Sequence, residues 1–249
     1  MRLPPYHWWR TVFFLIPAIS AYTIVLGTLS VTFSFFDRRG VFAHGCARLW
    51  AHLILRTTGV RVRARGLERL DPHASYVVAS NHQSIYDIPV LFDTLPLQLR
   101  FVAKASLGHV PFMGWHLRRT GHLLVQRENP GAGILERMKR LVGDQVSLIV
   151  FPEGTRSRDG RVARFKGGPF RIAVDSGLPI VPVSVSGTRH VMLKGRLMTC
   201  PGDVELTVHA PVPTAGLAGA DVRQLADRVR AVVETAVVAD GPMGAVVRD

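Results

Sequence analysis

The stretch Ser80-Asn81-His82-Gln83-Ser84-Ile85-Tyr86-Asp87-Ile88-Pro89 decides how this chain is read. It follows directly on Tyr76–Ala79, a short β-rich run. Proline favours the first turn of a helix and aspartate is a good cap, so a helix is expected to start near Asp87. The stretch is then a strand-to-helix corner with His82 in the loop. On one continuous helix His82 and Asp87 would lie about 140° apart and could not meet. A loop can fold the imidazole back onto the carboxylate. Such an aspartate fixes the histidine tautomer and stabilises imidazolium, leaving the histidine as a general base near working pH. No G-x-S-x-G elbow accompanies the pair and neither Cys46 nor Cys200 is near it, so the nucleophile is expected to come from the substrate, most simply a hydroxyl. Taken alone, the same residues suit a histidine that merely caps its own loop.

Outward from this corner the pattern alternates. Further β-rich runs occur at Arg100–Ala103, His122–Val125, Val146–Phe151, Ile180–Val185 and Val204–Val208. Helical patterns lie at Gly133–Val142, at Arg164–Asp175 with Gly177 as its stop, and after Asp221, where Val222, Leu225, Val229, Val232 and Val233 form one apolar stripe. Strands alternating with helices predict an α/β fold, a mixed sheet flanked by helices. Residues Gly241–Asp249 read as a loose tail. No repeat or low-complexity linker divides the body.

A second stretch, Phe151-Pro152-Glu153-Gly154-Thr155-Arg156-Ser157, follows the run Val146–Phe151. A strand end, a glycine turn, hydroxyls and arginine make a plausible phosphate cradle. From Arg156 to Arg171 the basic residues are Arg156, Arg158, Arg161, Arg164, Lys166 and Arg171, against Asp159 as the lone acid. The bland alternative is a solvated basic face. Glu153 would repel a phosphate, so it is expected to orient Arg156 or a substrate hydroxyl.

Taken together, the two stretches resemble the signature blocks of the glycerolipid (1-acylglycerol-3-phosphate) acyltransferase family. Asn81, His82 and Asp87 match N-H-x-x-x-x-D, and Phe151 to Ser157 match F-P-E-G-T-R-S. Between them Lys104, Leu107, Pro111, Gly114 and Trp115 match a K-x-E-L-x-x-x-P-x-x-G-W block, with Ser106 where the family has an acid. Val181-Pro182-Val183 matches the fourth block. The resemblance implies that His82, held by Asp87, deprotonates the free hydroxyl of a lysophospholipid. That oxygen would attack an acyl thioester on coenzyme A or acyl carrier protein, without a metal or other cofactor and without a covalent acyl-enzyme. It implies that Glu153, Gly154, Thr155, Arg156 and Ser157 bind the glycerol phosphate, with Lys104 as a second cation. Pro182 would shape the acyl-donor site, and Asn81 belongs to the same substrate-binding set. Lysophosphatidic acid is the expected acceptor. Glycerol 3-phosphate, another lysophospholipid and a lyso amino-acid lipid are the alternatives. Trp115 and Pro111 are expected to be structural.

Ahead of these blocks, no residue from Thr11 to Phe36 is charged. As a helix the run would reach roughly 39 Å, against a hydrocarbon core of about 30 Å. Trp8 and Trp9 stand at one edge, where interfacial aromatics belong. The run is longer than the apolar part of a signal peptide and no small-x-small site follows it, so a membrane anchor is expected ahead of a cleaved signal peptide or a buried core helix. Pro17 and Gly27 interrupt the run, so the anchor could span or bend back. Arg38, Arg39, Arg48 and Arg56 follow it, whereas only Arg2 and Arg10 precede it. That bias places the body on the cytoplasmic face of a cell inner membrane or plasma membrane. Val41–Leu55 reads as a helix with His44, Arg48 and His52 as a polar stripe, facing either solvent or headgroups. Residues 1–58 are thus expected to form an anchor with an amphipathic helix, and residues 59–249 the α/β domain.

Composition agrees. Of 249 residues 47% are hydrophobic and 20% charged, which excludes a disordered chain. A net charge of +13 implies an anionic partner. Nucleic acid is the poorer choice, because no nucleic-acid module is present and the apolar run would be unexplained. A lipid-binding protein without activity is disfavoured by the intact His82 and Asp87. Two cysteines rule out a disulfide framework, and the remaining histidines show no metal-ligand spacing. Oligomeric state is open.

Overall fold

The computed structural model describes residues 5–37, 39–125 and 145–238. The expected helix Gly133–Val142 and the tail Gly241–Asp249 lie outside the described residues. The described chain forms seven strands: β1 (Val60–Arg65), β2 (Val77–Ser80), β3 (Gln98–Lys104), β4 (Leu123–Val125), β5 (Val146–Val150), β6 (Ile180–Ser186) and β7 (Gly202–Val208). They make one sheet in the order β1-β7-β6-β2-β5-β3-β4. Every neighbouring pair is parallel except β6 with β7, so the sheet is mixed as expected. All six anticipated runs are strands. β1 was not anticipated. Its arginines hide the alternation of Val60 and Val62, and it is an edge strand, where charge discourages pairing with a second chain. Arg61 reaches across to Asp203 of β7 at 3.0 Å.

The helices are α1 (Tyr6–Phe33), α2 (Val41–Thr58), α3 (Asp87–Thr94), α4 (Met113–Arg119), α5 (Gly168–Ser176), the single turn α6 (Thr188–Val191) and α7 (Val222–Glu234). Alternation along the central strands makes two cores. Val78, Val181, Val183 and Val185 pack on α2 and α3, and Val77, Ala79, Leu148 and Ile180 pack on α5 and α7. Parallel strands covered on both faces read as near-continuous apolar runs, as β5 and β6 do. Gly177, at φ 68°, closes α5 where expected. The helix starts later than expected, because Phe165 is fully buried and the Lys166 amide donates to Pro152 O at 2.9 Å, which keeps that segment extended. In α7 the buried stripe is Leu225, Ala226, Val229 and Val233, with Val232 half-buried.

α1 is one unbroken helix, and neither Pro17 nor Gly27 bends it back. Its turn Thr11–Leu15 is widened to a π-helix just before Pro17, so the missing proline N–H falls where the hydrogen-bond register already changes. Gly27 lets α1 lie close to the segment before α4, since a Cβ there would sit 3.3 Å from Phe112 Cβ. The helix is tied to the body along its length. The Thr199 amide donates to Thr11 Oγ1 at 2.9 Å, Trp50 Nε1 donates to Thr23 Oγ1 at 3.0 Å, and Ser30 Oγ meets His116 Nδ1 at 2.6 Å. α2 shares its buried face, including Ala51, Ile54 and Leu55, with the α/β core. Its polar stripe is not a single solvated face: Arg48 and His52 meet Asp93 of α3, while His44 is buried against β3.

Gly27→Leu should force α1 away from Phe112 and lower stability by about 1–3 kcal/mol, the usual cost of overpacking. Thermal unfolding of the detergent-solubilised protein checks this; an unchanged midpoint would contradict the close approach.

Candidate active site

β2 ends at Ser80, and the chain turns at once under a set of buried side-chain bonds. Asn81 Oδ1 accepts from Val185 N and its Nδ2 donates to Val185 O, both at 2.8 Å. This side chain pairs with β6 as a strand would and is 1% exposed, so it braces the loop and does not present itself to a substrate. The next residue, His82, is partly exposed. Its Nδ1 lies 2.7 Å from Asp87 Oδ2, with side-chain exposures of 13% and 0%. Asp87 is the first residue of α3, yet its carboxylate serves the loop before the helix. Oδ2 also accepts from the Gln83 and Ser84 amides at 2.7 and 2.9 Å, and Oδ1 accepts from Thr188 Oγ1. A carboxylate accepting from four donors leaves Nδ1 of His82 as the protonated nitrogen and Nε2 as the available base. The imidazole stacks on Phe151, ring centroids 4.0 Å apart and planes at 16°.

Glu153 corrects the sequence reading. Its Oε1 accepts from the His82 amide at 2.7 Å and its Oε2 from the Ala163 amide at 3.0 Å. Both oxygens therefore hold backbone, and neither bonds Arg156. Burial pushes its carboxyl up to about 7, against the two amide bonds that favour the charged form. Ser157 is likewise structural: its amide donates to His82 O at 2.7 Å, and its hydroxyl bonds Asp159 and the Gly160 amide within the turn. Gly154, at φ 74°, makes the turn between them. Thr155 is exposed on this turn and Arg156 half-buried, and the Arg156 guanidinium has no hydrogen-bond or ion-pair partner among the described residues. The structure thus brings His82, Asp87 and the segment Glu153–Ser157 together.

Pro182 is not part of that gathering. By alternation along β6 it faces the α5 and α7 side with Ile180, away from α2 and α3. Lys104 ends β3, and its side chain lies outside what is described. Trp115 is half exposed at 49% on α4, its ring tilted at 58° against Phe112, and so is a surface residue. Two site residues escaped the sequence reading. Thr188 stands 101 residues from Asp87, and Lys194 reaches the glycine turn from the loop after α6. Nothing local in the sequence links either one to the motifs.

Beside the catalytic corner lies an almost wholly apolar cavity of about 200 Å3. Ile85 of the loop and Ile88 of α3 form its near wall, Trp50 and Ala47 of α2 and Leu26 of α1 another, and Phe101 and Leu117 the far side. Its two histidines, His116 and His122, are kept neutral by burial, which lowers His116 to about 4 and holds His122 well below its ordinary value. A neutral imidazole does not spoil an apolar lining for a hydrocarbon chain.

The acyltransferase family model matches residues 61–186. The chain is 36% identical over 209 residues to the chloroplast 1-acyl-sn-glycerol-3-phosphate acyltransferase BAT2 of Brassica napus, covering 80% of this chain and 60% of that one. It is 33% identical to the human 1-acyl-sn-glycerol-3-phosphate acyltransferase alpha, covering 88% and 78% of the two chains. The crystal structure of the 1-acyl-sn-glycerophosphate acyltransferase of Thermotoga maritima superposes with a TM-score of 0.70 at 29% identity, covering 89% of this chain and 97% of that chain.

The raised carboxyl of Glu153 has a measurable consequence. The folded protein holds that proton more tightly than the unfolded chain, so the group's contribution to stability is complete below its ordinary value of 4.5 and is lost as pH rises through about 7. The stability difference between the unmodified protein and Glu153→Gln should therefore fall across that window and level off above it. Thermal unfolding of both proteins as a function of pH checks this; a constant difference would contradict the raised carboxyl.

Proposed function

The chain belongs to the acyltransferase family, and from that premise we propose that it transfers a fatty acyl group from a thioester donor, acyl-coenzyme A or acyl carrier protein, to the sn-2 hydroxyl of 1-acylglycerol 3-phosphate. The product is phosphatidic acid. One observation carries the chemistry: a buried Asp87 holding Nδ1 of His82, so that Nε2 faces the reaction as base. His82 Nε2 takes the hydroxyl proton as the oxygen attacks the thioester carbonyl. The tetrahedral intermediate expels the thiolate, which recovers the proton from imidazolium, and no acyl-enzyme or cofactor enters the sequence. Asp87 stabilises the transient imidazolium. Arg156 takes the acceptor phosphate, whose geometry suits a guanidinium fork. The apolar cavity takes a fatty chain. The proteins called 1-acyl-sn-glycerol-3-phosphate acyltransferases among its relatives support this acceptor over glycerol 3-phosphate.

We also infer membrane association, with α1 lying along the interface and not crossing it. α1 is long and apolar enough to cross a membrane, and only 11% of its most apolar window is buried. Yet Thr11 near one end and Ser30 near the other both bond the body, so a crossing would drag the catalytic layer into the hydrocarbon. Phe13, Phe14, Val25 and Phe33 of α1, then Phe35, Phe36 and Trp115, are large apolar side chains left exposed, and we assign them to a membrane-facing surface. Exposed Arg118 and Arg119 border it, as suits anionic headgroups on a cytoplasmic leaflet. α1, with Trp115, Arg118 and Arg119 of the α4 region, then supplies the membrane-facing side, and the sheet with its other helices the catalytic side.

His82→Ala should lower turnover by about 10²–10⁴-fold while folding and vesicle binding persist. Thiol release from acyl-coenzyme A with lysophosphatidic acid, glycerol 3-phosphate or lysophosphatidylcholine as acceptor checks base and acceptor together. Turnover near normal in the variant would overturn the mechanism. Release with another acceptor alone would overturn the acceptor.

A further inference from the structure

Lys194 lies in none of the sequence blocks, yet it sits at the seam of the site. Its Nζ donates to Thr155 Oγ1 at 2.9 Å and to Arg156 O at 2.8 Å, which places its charge on the glycine turn. Its loop is fixed from the other side as well. Ser84 Oγ, in the catalytic loop, donates to Met192 O at 2.8 Å, two residues before Lys194. The turn it contacts is itself tied to the base, because the Ser157 amide donates to His82 O at 2.7 Å. Lys194 is half-buried and has no acidic partner among the described residues. An ammonium has three N–H donors, and two are accounted for.

We propose that Lys194 is a specificity-determining ligand of the acceptor headgroup, which with Arg156 selects a phosphate monoester over a phosphodiester. This rests on the functional reading above. A monoester carries between about −1.5 and −2 charges at neutral pH, whereas a diester carries one. A single guanidinium balances the diester. The dianion calls for more than one cation, and besides the Lys104 that the resemblance implies, Lys194 supplies a point charge on the turn that carries Arg156. Its loop is also held by the N-terminal helix, where Thr11 Oγ1 accepts from the Thr199 amide, so the cation is positioned and not free to wander.

The test uses the full-length, detergent-solubilised protein, Lys194→Gln and Lys194→Arg. Gln keeps a hydrogen-bond donor for Thr155 and Arg156 but has no charge, and Arg restores the charge. Equilibrium binding of 1-oleoyl lysophosphatidic acid and 1-oleoyl lysophosphatidylcholine is measured for each, with unfolding midpoints alongside. Lys194→Gln should weaken lysophosphatidic acid by about tenfold to a hundredfold and lysophosphatidylcholine by less than about threefold. Lys194→Arg should recover most of the loss, and the KM for the acyl donor should not move. Equal weakening of both lipids, or no weakening of lysophosphatidic acid, would overturn the proposal. If Lys194→Gln does not fold, Lys194→Arg decides it: restored folding with lost preference for the monoester counts against Lys194. Failure of the unmodified protein to acylate lysophosphatidic acid would reject the function while leaving the binding comparison valid.

Discussion

A carboxylate with no exposure to solvent must have its acceptors filled, because an unpaired buried charge costs several kcal/mol or more. Asp87 meets that demand with four donors drawn from three places: the imidazole of His82, the amides of Gln83 and Ser84, and the hydroxyl of Thr188. The corner between β2 and α3 is thereby bound to the end of β6. Withdrawing any one donor leaves a lone pair in a dry site, so the fold and the catalytic tautomer are held by the same atoms. That coupling explains how a short loop can keep its shape at the edge of a sheet. It also explains why a helix begins at Asp87 although its carboxylate does not cap that helix.

The same economy governs the rest of the signature residues. Asn81 completes the edge of β6, Glu153 ties the catalytic loop to the segment before α5, and Ser157 holds the carbonyl of His82. The side chains of Asn81 and Glu153, which invite assignment to the substrate, are therefore committed to backbone, and the Ser157 hydroxyl to its own turn. What is left for the proposed chemistry is the Nε2 of His82, and for the proposed recognition the cations of the glycine turn. A loop that must place one nitrogen within a few tenths of an ångström needs many braces for each reacting atom.

The alternating runs made the layered α/β fold readable, and the strand-to-helix corner made the His82–Asp87 pair readable. Both are local: a period of two, a proline in a first turn, a loop of four residues. The roles of Glu153 and Asn81 were not readable, because a carboxylate or an amide announces its chemistry but not its partner. Those partners, the Ala163 and Val185 backbones, are set by how β5 and β6 lie beside β2. Thr188 and Lys194 were missed for the same reason, since each reaches the site from beyond β6. β1 was hidden by composition, its arginines outweighing its valines. In α1 the sequence showed the length and the apolar character. It did not show the ties to Thr199 and His116 that hold the helix against the body.

One further consequence follows from where α1 lies. Its residues Thr23, Leu26 and Gly27 are part of the wall of the apolar cavity, with Trp50 of α2 locked to Thr23. A soluble enzyme made by cutting away the first helix would have its hydrocarbon pocket open to water along one side. On the reading proposed above, membrane association and the shape offered to a fatty chain thus share residues of α1. On that membrane reading, substitutions that adapt the exposed side of this helix to a different membrane surface would also reshape the pocket.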